Sequence, residues 1–309
     1  MDLYKIIKDN REHLKENTIR TYVLNIKRLN GGTIPEDVKF MENIKNIREK
    51  IAEMKLSTRR NMITSVMVVL SAIDGEKYLN LREEYRKELA KLNTEYEIHL
   101  MEHQKTLKEE ENWTSIADLH IVLKSYMTQI RKLNLHKDIE QIADKVLLQK
   151  ALVAGLYLLF GKNDGPRRLE YAGMKIIQDR DDIKPNINYL LVLSKRTKYF
   201  IFQDYKTSGK YGKLEKSVPN KLNTIINIWL KHNKTDNFLI NQRGGAMTSN
   251  TLGKFITLTF APLKKNITLN LLRHIFITSN VDLDKVKNNK ELAKNMAHDV
   301  GTQETYVKV

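Results

Sequence analysis

The chain has 309 residues and a formal charge of +16, with a pI near 9.6, yet it keeps 37 acidic residues, so it reads as a folded basic protein that suits a polyanionic partner. No apolar run reaches the roughly 18 residues needed to span a bilayer, and the amino terminus lacks a secretory apolar segment, so nucleic acid inside a cell is the expected partner rather than a membrane. The absence of cysteine excludes disulfides, thiolate metal sites and a cysteine nucleophile.

The length suits two domains. From Met1 to about Ala72 apolar residues recur at three- and four-residue steps (Ile19, Tyr22, Val23, Ile26, Leu29), which predicts helices. Gly31 and Gly32 end one of these, Pro35 opens the region Phe40 to Met54, and Ser57 or Thr58 caps a helix carrying Met62, Ile63, Val66, Val69 and Leu70. Basic residues decorate this bundle, Arg20, Lys27, Arg59 and Arg60 among them; they are either a solvated face or phosphate contacts.

Leu81 to Glu111 is highly charged with few large apolar residues, and reads as one long helix or a helical linker. His99 and His103 stand there at zinc-compatible i, i+4 spacing, but no further ligand completes a site, and neither a metal nor a cofactor is expected. A boundary near Asn112 gives 1–80, 81–111 and 112–309 as helical domain, linker and second domain. The longest apolar run, Ala151 to Phe160, predicts a buried helix, and β-like runs follow at Asn188 to Leu193, Tyr199 to Phe202 and Leu214 to Val218. A Lys- and Gly-rich turn separates the last two. Helix returns at Leu222 to Leu230, and after Phe238-Leu-Ile and the Gly244-Gly245 turn the chain is expected to stay largely helical to the end. The expected class is mainly α with a small antiparallel β-sheet.

Five short stretches carry candidate chemistry: G-P-R-R-L-E at 165–170, Lys206 in a hairpin, L-L-R-H at 271–274, M-A-H at 296–298, and Tyr306. Each alone is commonplace. In this order they resemble the tyrosine recombinase (phage-type integrase) family over roughly Asn112 to Tyr306, and the helical segment before them is similar to that family's core-binding domain. The resemblance makes Arg167 and Arg273 the catalytic arginines, Glu170 the acidic companion, His298 the histidine and Tyr306 the nucleophile. Among Lys206, Lys210 and Lys213 the strand-end Lys206 is the preferred general acid.

The position three before Arg273, histidine in the family, is Asn270, which can hydrogen-bond but cannot take a proton. His274 then has two readings: it shares the proton-accepting role with His298, or it packs beside the site as a helix residue. Tyr306 stands three residues from the last residue, whereas many relatives extend further to dock on a neighbouring protomer; different assembly or a shortened chain are the two readings.

The residue types suit phosphoryl transfer. Two guanidinium forks can bind both non-bridging oxygens of a phosphodiester. A tyrosine hydroxyl with a free pKa of about 10 needs its proton accepted and its developing charge stabilised as it attacks. The resemblance therefore implies a site-specific recombinase or integrase that cuts and rejoins double-stranded DNA through a 3′-phosphotyrosine link, without ATP or metal, as a homo-tetramer on two duplexes. Arg168, Lys210 and His274 join the basic residues of the first domain as DNA-contact candidates. The alternatives are a type IB topoisomerase-like enzyme and a DNA-binding protein of the same fold without catalysis. The hairpin's lysine-threonine and tyrosine-glycine pairs look like those of integrase-like proteins of large DNA viruses and their mobile elements.

Overall fold

The computed structural model describes residues 1–73, 76–102, 104–137, 139, 141–161 and 164–295. These form a mainly helical protein with one four-stranded sheet, divided into two compact units, Met1–Gln104 and Lys105–Val309. None of the described helices is long and apolar enough to cross a membrane.

The first unit contains α1 (Leu3–Asn10), α2 (Glu16–Leu29), α3 (Lys39–Glu42), α4 (Ile44–Ile51), α5 (Leu56–Ile73) and α6 (Leu79–Met101). Asp2 caps α1 by accepting the Lys5 N–H at 3.0 Å. The apolar periodicity of α2 places Ile19, Ile26 and Leu29 in a core shared with Ile7, Met41, Ile47, Ile63, Val66 and Val69. The stretch 81–111, read as a single charged helix or linker, is instead divided. Its first part, α6, packs on α5 and buries Tyr85, Glu88 and Leu92. The Tyr85 hydroxyl donates to the Met41 carbonyl at 2.5 Å, and burial pushes its pKa up. Glu88 accepts from Arg48 Nε at 2.9 Å and stands 2.7 Å from its Nη2, so this buried carboxylate is paired.

The second unit opens with α7 (Leu107–Asn112) and α8 (Ile116–Lys132), each started by a capping box, Thr106 with Glu109 and Ser115 with Asp118. Helix α8 buries Leu119, Val122, Leu123 and Tyr126, while Ile121 is 63% exposed. Next comes α9 (Ile142–Leu158), whose residues Ala151 to Leu158 are all buried, as the apolar run predicts. It packs against α8, α11 (Asn220–His232) and α12 (Ser249–Thr259). Helix α13 (Leu269–Asn280) and helix α14 (Leu283–Asn295) follow.

The sheet is mixed rather than antiparallel. Strands β1 (Lys175–Ile177), β2 (Tyr189–Val192), β3 (Lys198–Phe202) and β4 (Leu214–Ser217) lie in that order, and β1 runs parallel to β2 with Ile176 opposite Leu190. The other pairs are antiparallel, Leu190 facing Phe200 and Phe202 facing Leu214. Side chains alternate between two apolar layers. Leu190, Phe200 and Phe202 join the helical core with Tyr157, Tyr171 and Phe238, while Tyr189, Leu191 and Ile201 pack under Ile183 and Ile187. The turn expected between β3 and β4 contains one turn of helix, α10 (Ser208–Tyr211).

Two polar fasteners complete this unit. Trp229 is fully buried on α11 and donates its indole N–H to the Phe238 carbonyl at 2.8 Å. At the start of β3 Lys198 is only 3% exposed, and its ammonium donates to Asn223 Oδ1, Asn227 Oδ1 and the carbonyls of Ser194 and Lys195, at 2.7 to 3.3 Å. Burial, and then the charge of Lys195, lower its pKa.

Candidate active site

Arg167 follows the buried Pro166 in the loop after α9, and Arg273 lies one turn into α13, whose N-cap Thr268 accepts the Leu271 N–H at 3.3 Å. Gly165 permits the close approach of these segments: a Cβ there would stand 3.2 Å from Cε1 of Phe276 on α13. The two arginines share one electrostatic environment. Desolvation is the main cause that lowers the Arg273 pKa, the Arg168 and Arg167 charges add to it, and Glu170 opposes it.

Arg167 is held by what surrounds it. Its guanidinium carbon lies 4.6 Å from the Phe202 ring centroid and 5.0 Å from that of Tyr205, and its Nη2 is 3.7 Å from Glu170 Oε1. Nε and Nη2 of Arg167, Oε2 of Glu170 and the Tyr171 hydroxyl are buried without a hydrogen-bond partner among the described residues. Burial raises the Tyr171 pKa, Arg167 opposes this, and Glu170 and Asp164 reinforce it. Asp164, three residues before Arg167, pairs with Lys216 on β4.

Lys206 follows directly on Tyr205, exposed and without a hydrogen bond among the described residues. The fold therefore brings Arg167, Glu170 and Arg273 together, with Lys206 one residue from the ring that touches Arg167. Asn270 is exposed one turn before His274 on α13. His274 is exposed, with its Nδ1 2.7 Å from Glu109 Oε1 on α7. His298 and Tyr306 lie outside the described residues.

The remaining DNA-contact candidates differ in how free they are. Arg20 pairs with Glu16 at 3.5 Å on an exposed face, and Lys27 is exposed. Arg60 is engaged within its unit, its Nε donating to Asn93 Oδ1 at 2.7 Å and its guanidinium lying 4.2 Å from the Tyr96 ring centroid. Arg59 keeps a buried Nε with no partner among the described residues. Arg168 and Lys210 are exposed, Lys210 with its Nζ 5.2 Å from the Tyr211 ring centroid.

Sequence reasoning missed the aromatic pair Phe202 and Tyr205, the Asp164–Lys216 pair and the buried Asn188. Phe202 and Tyr205 stand in F-Q-D-Y at the end of a strand, where aromatics read simply as core. No protein-family model, curated protein or solved structure matches this chain.

Proposed function

We propose that this protein is a DNA strand transferase of the tyrosine recombinase type, an integrase or site-specific recombinase acting on double-stranded DNA as a homo-tetramer. The observation that carries the reading is the close packing of the Arg167 loop on the helix that bears Arg273, where a Cβ at Gly165 would stand 3.2 Å from Cε1 of Phe276; desolvation first, and then the Arg168 and Arg167 charges, disfavour the charge of Arg273. Glu170 is the acid that opposes them, so an anion such as a phosphodiester would relieve the strain.

In the proposed reaction the Tyr306 oxygen bonds to phosphorus as the bond from phosphorus to O5′ breaks. The phenolic proton passes to His298, which then supports a non-bridging oxygen, and Lys206 gives a proton to the departing O5′. Arg167 and Arg273 bind the non-bridging oxygens as their negative charge grows. Rejoining is the reverse with a new 5′-hydroxyl, so the bond energy is kept in the phosphotyrosine link and ATP is not consumed.

The test uses a library of duplexes with randomised sequence beside a nick, so that cleavage releases a short fragment and traps the protein on DNA. A covalent adduct whose modified peptide contains Tyr306, and which is lost in Tyr306→Phe, is the expected result. Absence of any adduct from the library overturns the enzymatic reading. Asn270, which cannot take a proton, favours in that case a second reading: a DNA-binding protein without catalysis.

A further inference from the structure

We infer that Asn188 and Tyr205 are positioning residues that fix Lys206 in register with the arginine-bearing loop, an inference that rests on the strand-transfer reading. Lys206 has no hydrogen bond of its own among the described residues, so its aim is set by the backbone that carries it. That backbone is braced from two sides.

The first brace is Asn188, a buried side chain, 8% exposed, just before β2. Its Oδ1 accepts the N–H groups of Gln203 and Asp204 at 2.8 and 2.9 Å. Its Nδ2 donates to the Asp204 carbonyl at 2.9 Å and to the Glu170 carbonyl at 3.0 Å. One amide thus ties the segment leading into Lys206 to the backbone of the residue that pairs with Arg167, and all of its strong hydrogen-bonding capacity is spent on this join.

The second brace is Tyr205. Its ring lies against the Arg167 guanidinium, and its hydroxyl donates to the Gly212 carbonyl at 2.6 Å, closing the connection that contains Lys206 and α10. Gly212 has φ +65°, a conformation that lets the chain turn from α10 into β4. Arg167 keeps its second aromatic contact, Phe202, whatever happens to Tyr205. Loss of the Tyr205 hydroxyl should therefore disturb Lys206 more than Arg167.

Lys206 and Arg167 can be told apart by the leaving group. A 5′-bridging phosphorothiolate departs without needing a proton, so it rescues loss of the general acid but not loss of an oxyanion-binding arginine. Adduct-forming duplexes selected from the nicked library are resynthesised with either leaving group and given to wild type, Tyr205→Phe, Asn188→Ser, Lys206→Ala and Arg167→Ala. With the ordinary phosphate, Lys206→Ala should be slower by about 100-fold or more, and Tyr205→Phe and Asn188→Ser by about 10-fold or more. The phosphorothiolate should restore these three to near the wild-type rate and leave Arg167→Ala impaired.

Equal losses on both substrates for Tyr205→Phe and Asn188→Ser, or no loss at all, overturn the inference while leaving the strand-transfer reading intact. If either variant has a collapsed thermal transition, the other decides on the same comparison, and if both collapse the side chains hold the fold rather than the lysine and the inference falls. A wild-type protein that forms no adduct sinks both readings together.

Discussion

The imidazole Nδ1 of His274 stands 2.7 Å from Oε1 of Glu109, which joins the helix carrying Arg273 to the capping box of α7. The Glu109 pKa is lowered, chiefly by the Thr106 backbone N–H, then by the Thr106 hydroxyl and His274. A carboxylate with a depressed folded pKa contributes stability above its unfolded value of about 4.3 and loses it as pH falls through the folded value. Wild type should therefore melt higher than Glu109→Gln at pH 6, with the gap closing toward pH 3. Thermal melts across that range check this, and a gap that is unchanged at pH 3 refutes it.

Gly165 lets Phe276 lie against the loop that holds Arg167, so bulk there acts on the site. Gly165→Val should overpack this contact, costing about 1–3 kcal/mol of stability. Displacing one arginine relative to the other should slow adduct formation by about 100-fold, since a shift near 1 Å costs that much. Rates on trapped duplexes, compared with DNA affinity, separate the two effects: parallel losses of affinity and rate would contradict the placement.

Lys198 should be structural despite its charge. Lys198→Met leaves the Asn223 and Asn227 oxygens without their donor, and should cost about 1–3 kcal/mol in denaturant unfolding. A cost below about 0.5 kcal/mol would mean that the buried ammonium is offset by its own desolvation.

Arg168 is exposed beside the arginine pair and suits a phosphate contact. Arg168→Ala should weaken binding about equally on all duplex sequences and reduce the slope of log affinity against log salt by about 1. A loss confined to one sequence would instead mark Arg168 as a base-reading residue.

The helices were legible because they are long and periodic, and α9 announced itself as an unbroken apolar run. Arg167, Glu170 and Arg273 were legible as a set only through their order along the chain. Strand β1 was not, since three residues carry too little alternation, and its parallel pairing depends on a distant partner. Nor could Lys198 be told from a surface lysine, because its four acceptors come from a turn and from α11. The grip on Arg167 by Phe202 and Tyr205 is a tertiary contact between loop and sheet, for which local pattern holds no signal.

Both tryptophans of the chain, Trp113 and Trp229, belong to the second unit, and Trp229 lies fully buried beside Phe238. Indole fluorescence consequently watches only the sheet-bearing unit, whereas circular dichroism sums the helices of both units. Following both signals through one denaturant titration needs no label: a circular dichroism transition displaced from the fluorescence transition would show the first unit unfolding on its own, and coincident curves are what one cooperative body gives.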